Sequence, residues 1–227
     1  MDNAPSIIKI CGVQNQCIYN ACLQYGVDYI GFVFYNGSNR YVDPFQSTLL
    51  SDLKDVSLRK IEHVGLFVNH DADDMARILD HVPIDIIQLH GTETPKEVMA
   101  IAARFQRPVI KAIGVNHEGD VESIAAYEGI CDLLIIDAKP DHGFGGSGKI
   151  FEWSLMDHIK LKTPWLLAGG LTPQNIAQAR AYFSAPAFKG TKPIGYDVSS
   201  GVEDENGLKS PAKIKAFVQA ARGSISQ

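Results

Sequence analysis

The chain has 227 residues, 45% of them hydrophobic and 21% charged, which is ordinary globular usage and excludes a disordered chain. Surface scaling predicts that a chain of this length buries roughly 70% of its surface, so a core can form without staples. The formal net charge of −5 leaves no basic footprint for nucleic acid, and no apolar run approaches the ~18 residues of a membrane helix.

Met1-Asp2-Asn3-Ala4-Pro5 has neither a basic n-region nor an apolar h-region, so the expected setting is cytoplasmic, away from any membrane. Short runs rich in β-branched and aromatic residues then alternate with longer amphipathic stretches. The runs, read as strands, are 7–10, 29–34, 61–68, 84–89, 109–113, 133–136, 165–168 and 194–198. The stretches between and after them, read as helices, are 15–25, 44–53, 73–80, 95–105, 118–127, 151–159, 173–182 and 208–221. Thr94-Pro95, Thr172-Pro173 and Asp43-Pro44 each place a capping side chain before a proline, and Tyr25-Gly26 reads as a helix stop.

Strands alternating with helices imply parallel pairing through right-handed crossovers. Eight β/α pairs in 227 residues predict an α/β chain folded as a single (β/α)₈ TIM-barrel domain over 1–227, near the minimum size of that fold. The rival is a doubly wound sheet, which usually has fewer strands, and no G-x-G-x-x-G follows the first run.

The barrel makes a demand: functional residues should follow the strands, at the C-terminal face. The unusual residues fall there. Cys11 ends the first run, Arg40 follows the second, Gln88 and His90 end the fourth, and Asp137 ends the sixth. Gly169-Gly170 follow the seventh run, and Asp197-Val198-Ser199-Ser200-Gly201 close the eighth. Glycine lets backbone N–H groups approach an anion and serine adds donors, so these last two turns read as a phosphate site. Ordinary turns have the same composition. Cys11 and Asp137 face each other across an eight-strand ring and suit a base and acid pair, against readings as a buried thiol and a loop cap. Lys9 shares the strand face of Cys11 and favours its thiolate.

Arg40 offers a planar fork for an anion, or is a solvated surface residue. Gln88 and His90 share one strand face; His90 reads most simply as packing at the rim. Asp197 suits a sugar hydroxyl or the organisation of its loop. The Gly145-Gly146-Ser147-Gly148 run suits a lid over the site. The four cysteines, Cys11, Cys17, Cys22 and Cys131, form no C-x-x-C pair and match no zinc spacing, so no metal is expected and the other three read as reduced thiols.

Taken together, KICG at 9–12, GFVFYNGSNRYV at 31–42, VGLFVN at 64–69, QLHG at 88–91, VIKAIGV at 109–115, LIIDAKPDHGFGGSGKIFEW at 134–153, AGGLTPQN at 168–175 and YDVSSGVE at 196–203 resemble the phosphoribosylanthranilate isomerase family. The segments run in family order and cover every predicted strand. The resemblance implies a barrel that performs a cofactor-free Amadori rearrangement of phosphoribosylanthranilate in tryptophan biosynthesis. It implies Cys11 as general base, Asp137 as general acid and Arg40 at the anthranilate carboxylate. It also implies Gly169, Gly170, Ser199, Ser200 and Gly201 at the phosphate; Gln88, His90, Gly146 and Asp197 are counted beside them as expected substrate-binding residues. Family members occur as monomers and homodimers. The sister isomerase of histidine biosynthesis resembles a duplicated half-barrel with an aspartate ending its first strand, which Cys11 argues against. A non-catalytic phosphate-binding barrel would have no need of Cys11, Asp137 and Arg40 together.

Overall fold

The computed structural model describes residues 6–53, 61–138 and 152–223. Eight parallel strands pair in chain order and close on themselves. They are β1 (Ile7–Cys11), β2 (Tyr29–Val33), β3 (Glu62–Phe67), β4 (Ile86–Leu89), β5 (Val109–Val115), β6 (Leu133–Ala138), β7 (Trp165–Leu167) and β8 (Gly195–Val198). The closing register of β8 on β1 sets Lys9 beside Asp197 and Ile10 beside Val198. The helices are α1 (Gln16–Gln24), α2 (Thr48–Asp52), α3 (Ala72–His81), α4 (Pro95–Phe105), α5 (Glu118–Ala125), α6 (Ile176–Ser184) and α7 (Pro211–Arg222). None of the described helices is long and apolar enough to cross a membrane.

The capping signals divide into two kinds. Thr94 is a true N-cap: its hydroxyl accepts from the N–H of Glu97, whose carboxylate accepts from the N–H of Thr94 in return. Asp43 and Thr172 instead build turns ahead of their helices. Asp43 Oδ1 accepts from the N–H groups of Phe45 and Gln46, and α2 starts only after Ser47 caps it. Thr172 Oγ1 accepts from Gln174 and Asn175, while Asn175 Oδ1 accepts from the Thr172 N–H, so α6 starts at Ile176 rather than 173. The helix expected over 151–159 is, in its described part, one 3₁₀ turn over Trp153–Met156. Ser154 donates to Glu152 two residues before it, a local side-chain bond, and Asp157 accepts from Tyr182 of α6, a tertiary contact that holds the segment after the turn.

Side chains alternate across each strand, so every second residue points into the barrel. The lower interior is apolar: Val64, Ile86, Ile110, Leu133, Ile135 and Leu166 pack there, with Ile7 and Tyr29 against them. One or two steps further along the same strand faces stand Lys9 and Cys11, Gln88 and His90, Asp137, and Asp197. The barrel is thus packed below and chemically equipped at its C-terminal face. The opposite strand faces bury a larger apolar layer beneath the helices, including Ile8, Ile10, Phe32, Trp165, Ile214 and Phe217.

Candidate active site at the C-terminal face

Two adjoining clefts open at the C-terminal ends of the strands. The first, about 510 Å³, is lined by Cys11, Arg40, His90, Asp137, Asp197 and Ser199, with an apolar wall of Val33, Tyr35, Leu66 and Val68. The second, about 360 Å³, is lined by Ala168 to Leu171 and Val198 to Gly201. Asp137, Asp197 and Ser199 belong to both, so the clefts meet at the carboxylates. Among the described residues, no lysine or arginine lines the second cleft. An anion there is met by backbone N–H groups and hydroxyls, which needs no basic surface.

Glycine shapes both clefts. Gly169 has φ +81, and a Cβ on it would lie 2.9 Å from Asp137 Oδ1. Only glycine leaves that carboxyl its place. Gly12 also has φ +81, and a Cβ on it would lie 2.7 Å from Arg40 Cδ, so the arginine is laid across the end of β1.

The charges are arranged in two groups. Lys9, fully buried, donates to Asp197 Oδ1 at 3.0 Å. Arg40 donates from Nε (2.6 Å) and Nη2 (2.9 Å) to the two carboxylate oxygens of Glu203. Lys209 donates to Glu203 Oε1 at 2.5 Å and to the carbonyl of Ser199 at 3.0 Å. Ser199 Oγ in turn donates to the carbonyl of Cys11 at 3.1 Å. The sequence reading did not assign Glu203 or Lys209. Glu203 ends a quoted motif, and its spacing gives no hint of Arg40. Lys209 reaches it through a turn at Gly207, φ +75, that sets Glu203 and Lys209 in an antiparallel bridge.

Burial raises the Asp137 carboxyl, and the Asp197 carboxylate raises it further, to about 7. Burial also pushes the Cys11 thiol above its ordinary value, with the Lys9 ammonium as the largest opposing influence. Burial lowers His90 to about 4, so its imidazole is neutral at physiological pH. Gln88 Nε2 lies 3.0 Å from His90 Nδ1; with that nitrogen donating, the ring proton sits on Nε2. Gln88 is itself fully buried, and its Oε1 has no partner among the described residues. It therefore lies beneath the cleft and supports His90, where the sequence reading placed it with the binding residues.

Arg40, His90, Asp137, Asp197 and Cys11 are thus brought to one cleft, and Gly169, Gly170, Ser199, Ser200 and Gly201 to its neighbour. Gly146 and the lid run around it lie outside the described residues.

Residues 8–220 match the family model for N-(5'-phosphoribosyl)anthranilate isomerase. A relative of that name from Paracoccus denitrificans is 41% identical over 221 residues, covering 96% of this chain and 98% of its own. The crystal structure of phosphoribosyl anthranilate isomerase from Thermotoga maritima superposes with a TM-score of 0.78 at 33% identity, covering 96% of this chain and 99% of its own. A phosphoribosyl anthranilate isomerase in complex with reduced 1-(o-carboxyphenylamino)-1-deoxyribulose 5-phosphate superposes with a TM-score of 0.73 at 29% identity, covering 96% and 99%. With the family model matched over residues 8–220 and a relative of that name 41% identical over 96% of the chain, the chain belongs to the N-(5'-phosphoribosyl)anthranilate isomerase family.

Proposed function

We propose that the protein isomerises N-(5'-phosphoribosyl)anthranilate to 1-(2-carboxyphenylamino)-1-deoxyribulose 5-phosphate, with Asp137 as general acid and Cys11 as general base. The supporting observation is one cleft that holds a carboxyl titrating at about 7 and a thiol, between an apolar wall and a glycine-serine pocket. The phosphate fits the Gly169–Gly170 and Ser199–Gly201 loops. The aromatic ring fits against Val33, Tyr35, Leu66 and Val68. Its carboxylate reaches the guanidinium edge of Arg40 that Glu203 leaves open, and the Nε2–H of His90 is a neutral donor for a ribose oxygen.

The chemistry follows from those positions. Asp137 gives its proton to the ribose ring oxygen as the C1'–O bond breaks, and the anthranilate nitrogen lone pair forms the C1'=N iminium. Cys11, as thiolate, removes the proton from C2', and those electrons neutralise the iminium to give an enolamine. The enolamine gains a proton at C1' and loses one from the C2' hydroxyl, which leaves the ketone. Atoms and electrons balance within the substrate, and the two side chains only move protons.

The reading carries a cytoplasmic setting and a monomer or homodimer; the Thermotoga maritima protein is dimeric. Light scattering on the purified chain reads its assembly state directly. The functional test is turnover of freshly made phosphoribosylanthranilate, followed as loss of its fluorescence, with the histidine-pathway aminoaldose in parallel. Consumption of the first substrate alone is expected. Cys11→Ala and Asp137→Asn are expected to lose turnover by about 10³-fold or more while staying folded. Near-normal turnover in either variant removes that residue from the mechanism.

A further inference from the structure

A thiolate base and a protonated carboxyl in one cleft invert the ordinary order of the two groups, since free aspartate ionises long before free cysteine. Something fixed in the site must oppose that order. Lys9 and Asp197 are paired in register across the β1–β8 seam and bonded at 3.0 Å. Lys9 precedes Cys11 by two residues on the same inward strand face. A Cβ built on Gly31 of β2 would lie 3.1 Å from Cys11 Sγ and 3.3 Å from Lys9 Nζ, so sulfur and ammonium flank one small gap that only glycine keeps open. At the other end, Asp197 lines both clefts beside Asp137.

We propose that the buried Lys9–Asp197 ion pair is the positioning element of this site, a fixed dipole whose ammonium end faces Cys11 and whose carboxylate end faces Asp137. It rests on the acid and base roles given above, and neither member need touch a reacting atom. Charge on the sulfur is favoured by the near ammonium. A proton on Asp137 is favoured by the near carboxylate. The low-dielectric barrel interior keeps both effects strong. A lysine alone would favour both anions, and an aspartate alone would favour both protonated forms. The oriented pair is what separates the two.

Other charged groups reach the same atoms. Arg40 after β2 and Lys209 after β8 act on Cys11 from outside, both tied to Glu203, which offsets them. On the Asp137 side, Asp197 and Lys9 are the acting charges, and His90 on β4 is neutral. The directions agree with the geometry: Lys9 pulls the thiol down and Asp197 pushes the acid up.

The test reads Cys11 without needing turnover. Iodoacetamide alkylation is followed against pH by peptide-resolved mass spectrometry, which separates Cys11 from the exposed Cys17. Folding of each variant is checked by circular dichroism. Lys9→Met is expected to move Cys11 alkylation to higher pH and slow it about tenfold at pH 8, one pH unit of thiol titration. Asp197→Asn is expected to move it to lower pH, and to move the Asp137 carboxyl, read by carbon-13 NMR, to lower pH as well. Each single change strands a buried charge and threatens the fold. The double variant Lys9→Met/Asp197→Asn leaves none and keeps the shapes. In it the thiol is expected to titrate higher and the carboxyl lower than in the parent, so the two draw apart in pH. A folded double variant with both titrations unmoved, or single variants that shift Cys11 in the same direction, overturns the proposal. If Cys11→Ala keeps turnover but these shifts are seen, the base assignment fails and the electrostatic element stands.

Discussion

Asp137 and Cys11 share a proton inventory, and that fixes the pH dependence of the reaction. With the acid at about 7 and the thiol above its ordinary 9.0, the free site near pH 8 carries one proton between them. Carboxylate with thiol and acid with thiolate are two arrangements of that proton, and only the second is productive. Below about pH 7 a second proton arrives and no base remains. Above the thiol value both protons are gone and no acid remains. kcat/KM is therefore expected to be bell-shaped, rising through about pH 7 and falling only above pH 9. A profile that falls from pH 7 upward would contradict the assignment. Gly169 makes a second prediction at this scale. Its alanine variant must move Asp137 Oδ1 and adopt a strained φ of +81, so kcat is expected to drop by roughly 10²-fold with the fold kept. Equal activity would mean that the carboxyl position is not critical.

Strands and helices were legible where one rule governed them, and misread where two competed. The eight apolar runs locate all eight strands because parallel strands buried on both faces have little polar interruption. Thr94-Pro95 gives α4 its observed start, Pro95, because nothing nearby rivals the cap. Asp43-Pro44 and Thr172-Pro173 carry the same dipeptide logic but lead into side-chain turns three residues long. That Cys11, Asp137 and Asp197 line one cleft was legible because each stands at the C-terminal end of its strand in this fold. Glu203 and Lys209 were not, because their meeting depends on the Gly207 turn and on Arg40 arriving from another element. Thr94, which lines neither cleft, offers a clean measurement at the start of α4. Thr94→Ala removes the hydroxyl that caps Glu97 N–H, and is expected to lower unfolding free energy by about 1 kcal/mol. Urea denaturation reads it, with turnover expected to be unchanged; a loss of activity without a loss of stability would show that α4 does more than pack.

At the scale of the whole molecule, the site is a place where the barrel gives up stability. The folded chain holds a proton on Asp137 up to about 7, whereas the unfolded chain releases it near 3.8. Between those values the folded state binds more protons than the unfolded one, so this group makes stability fall as pH rises, and the loss levels off above about 7. The interval corresponds to on the order of 4 kcal/mol, a sizeable part of a typical domain's stability. Asp137→Asn removes the ionisation while nearly keeping the shape. Its thermal midpoint is expected to exceed that of the parent by a margin that widens from pH 5 to pH 7 and is constant above, reaching several degrees. Ion pairs elsewhere, such as Glu93 with Lys111 at 2.7 Å, are common to both proteins and cancel in the difference. A margin that stays flat from pH 5 to pH 8 would mean that Asp137 is an ordinary carboxylate in the fold, and the acid assigned to it would have to be sought on another strand. A widening margin, in a variant without turnover, would show the same buried charge opposing the fold and driving the reaction.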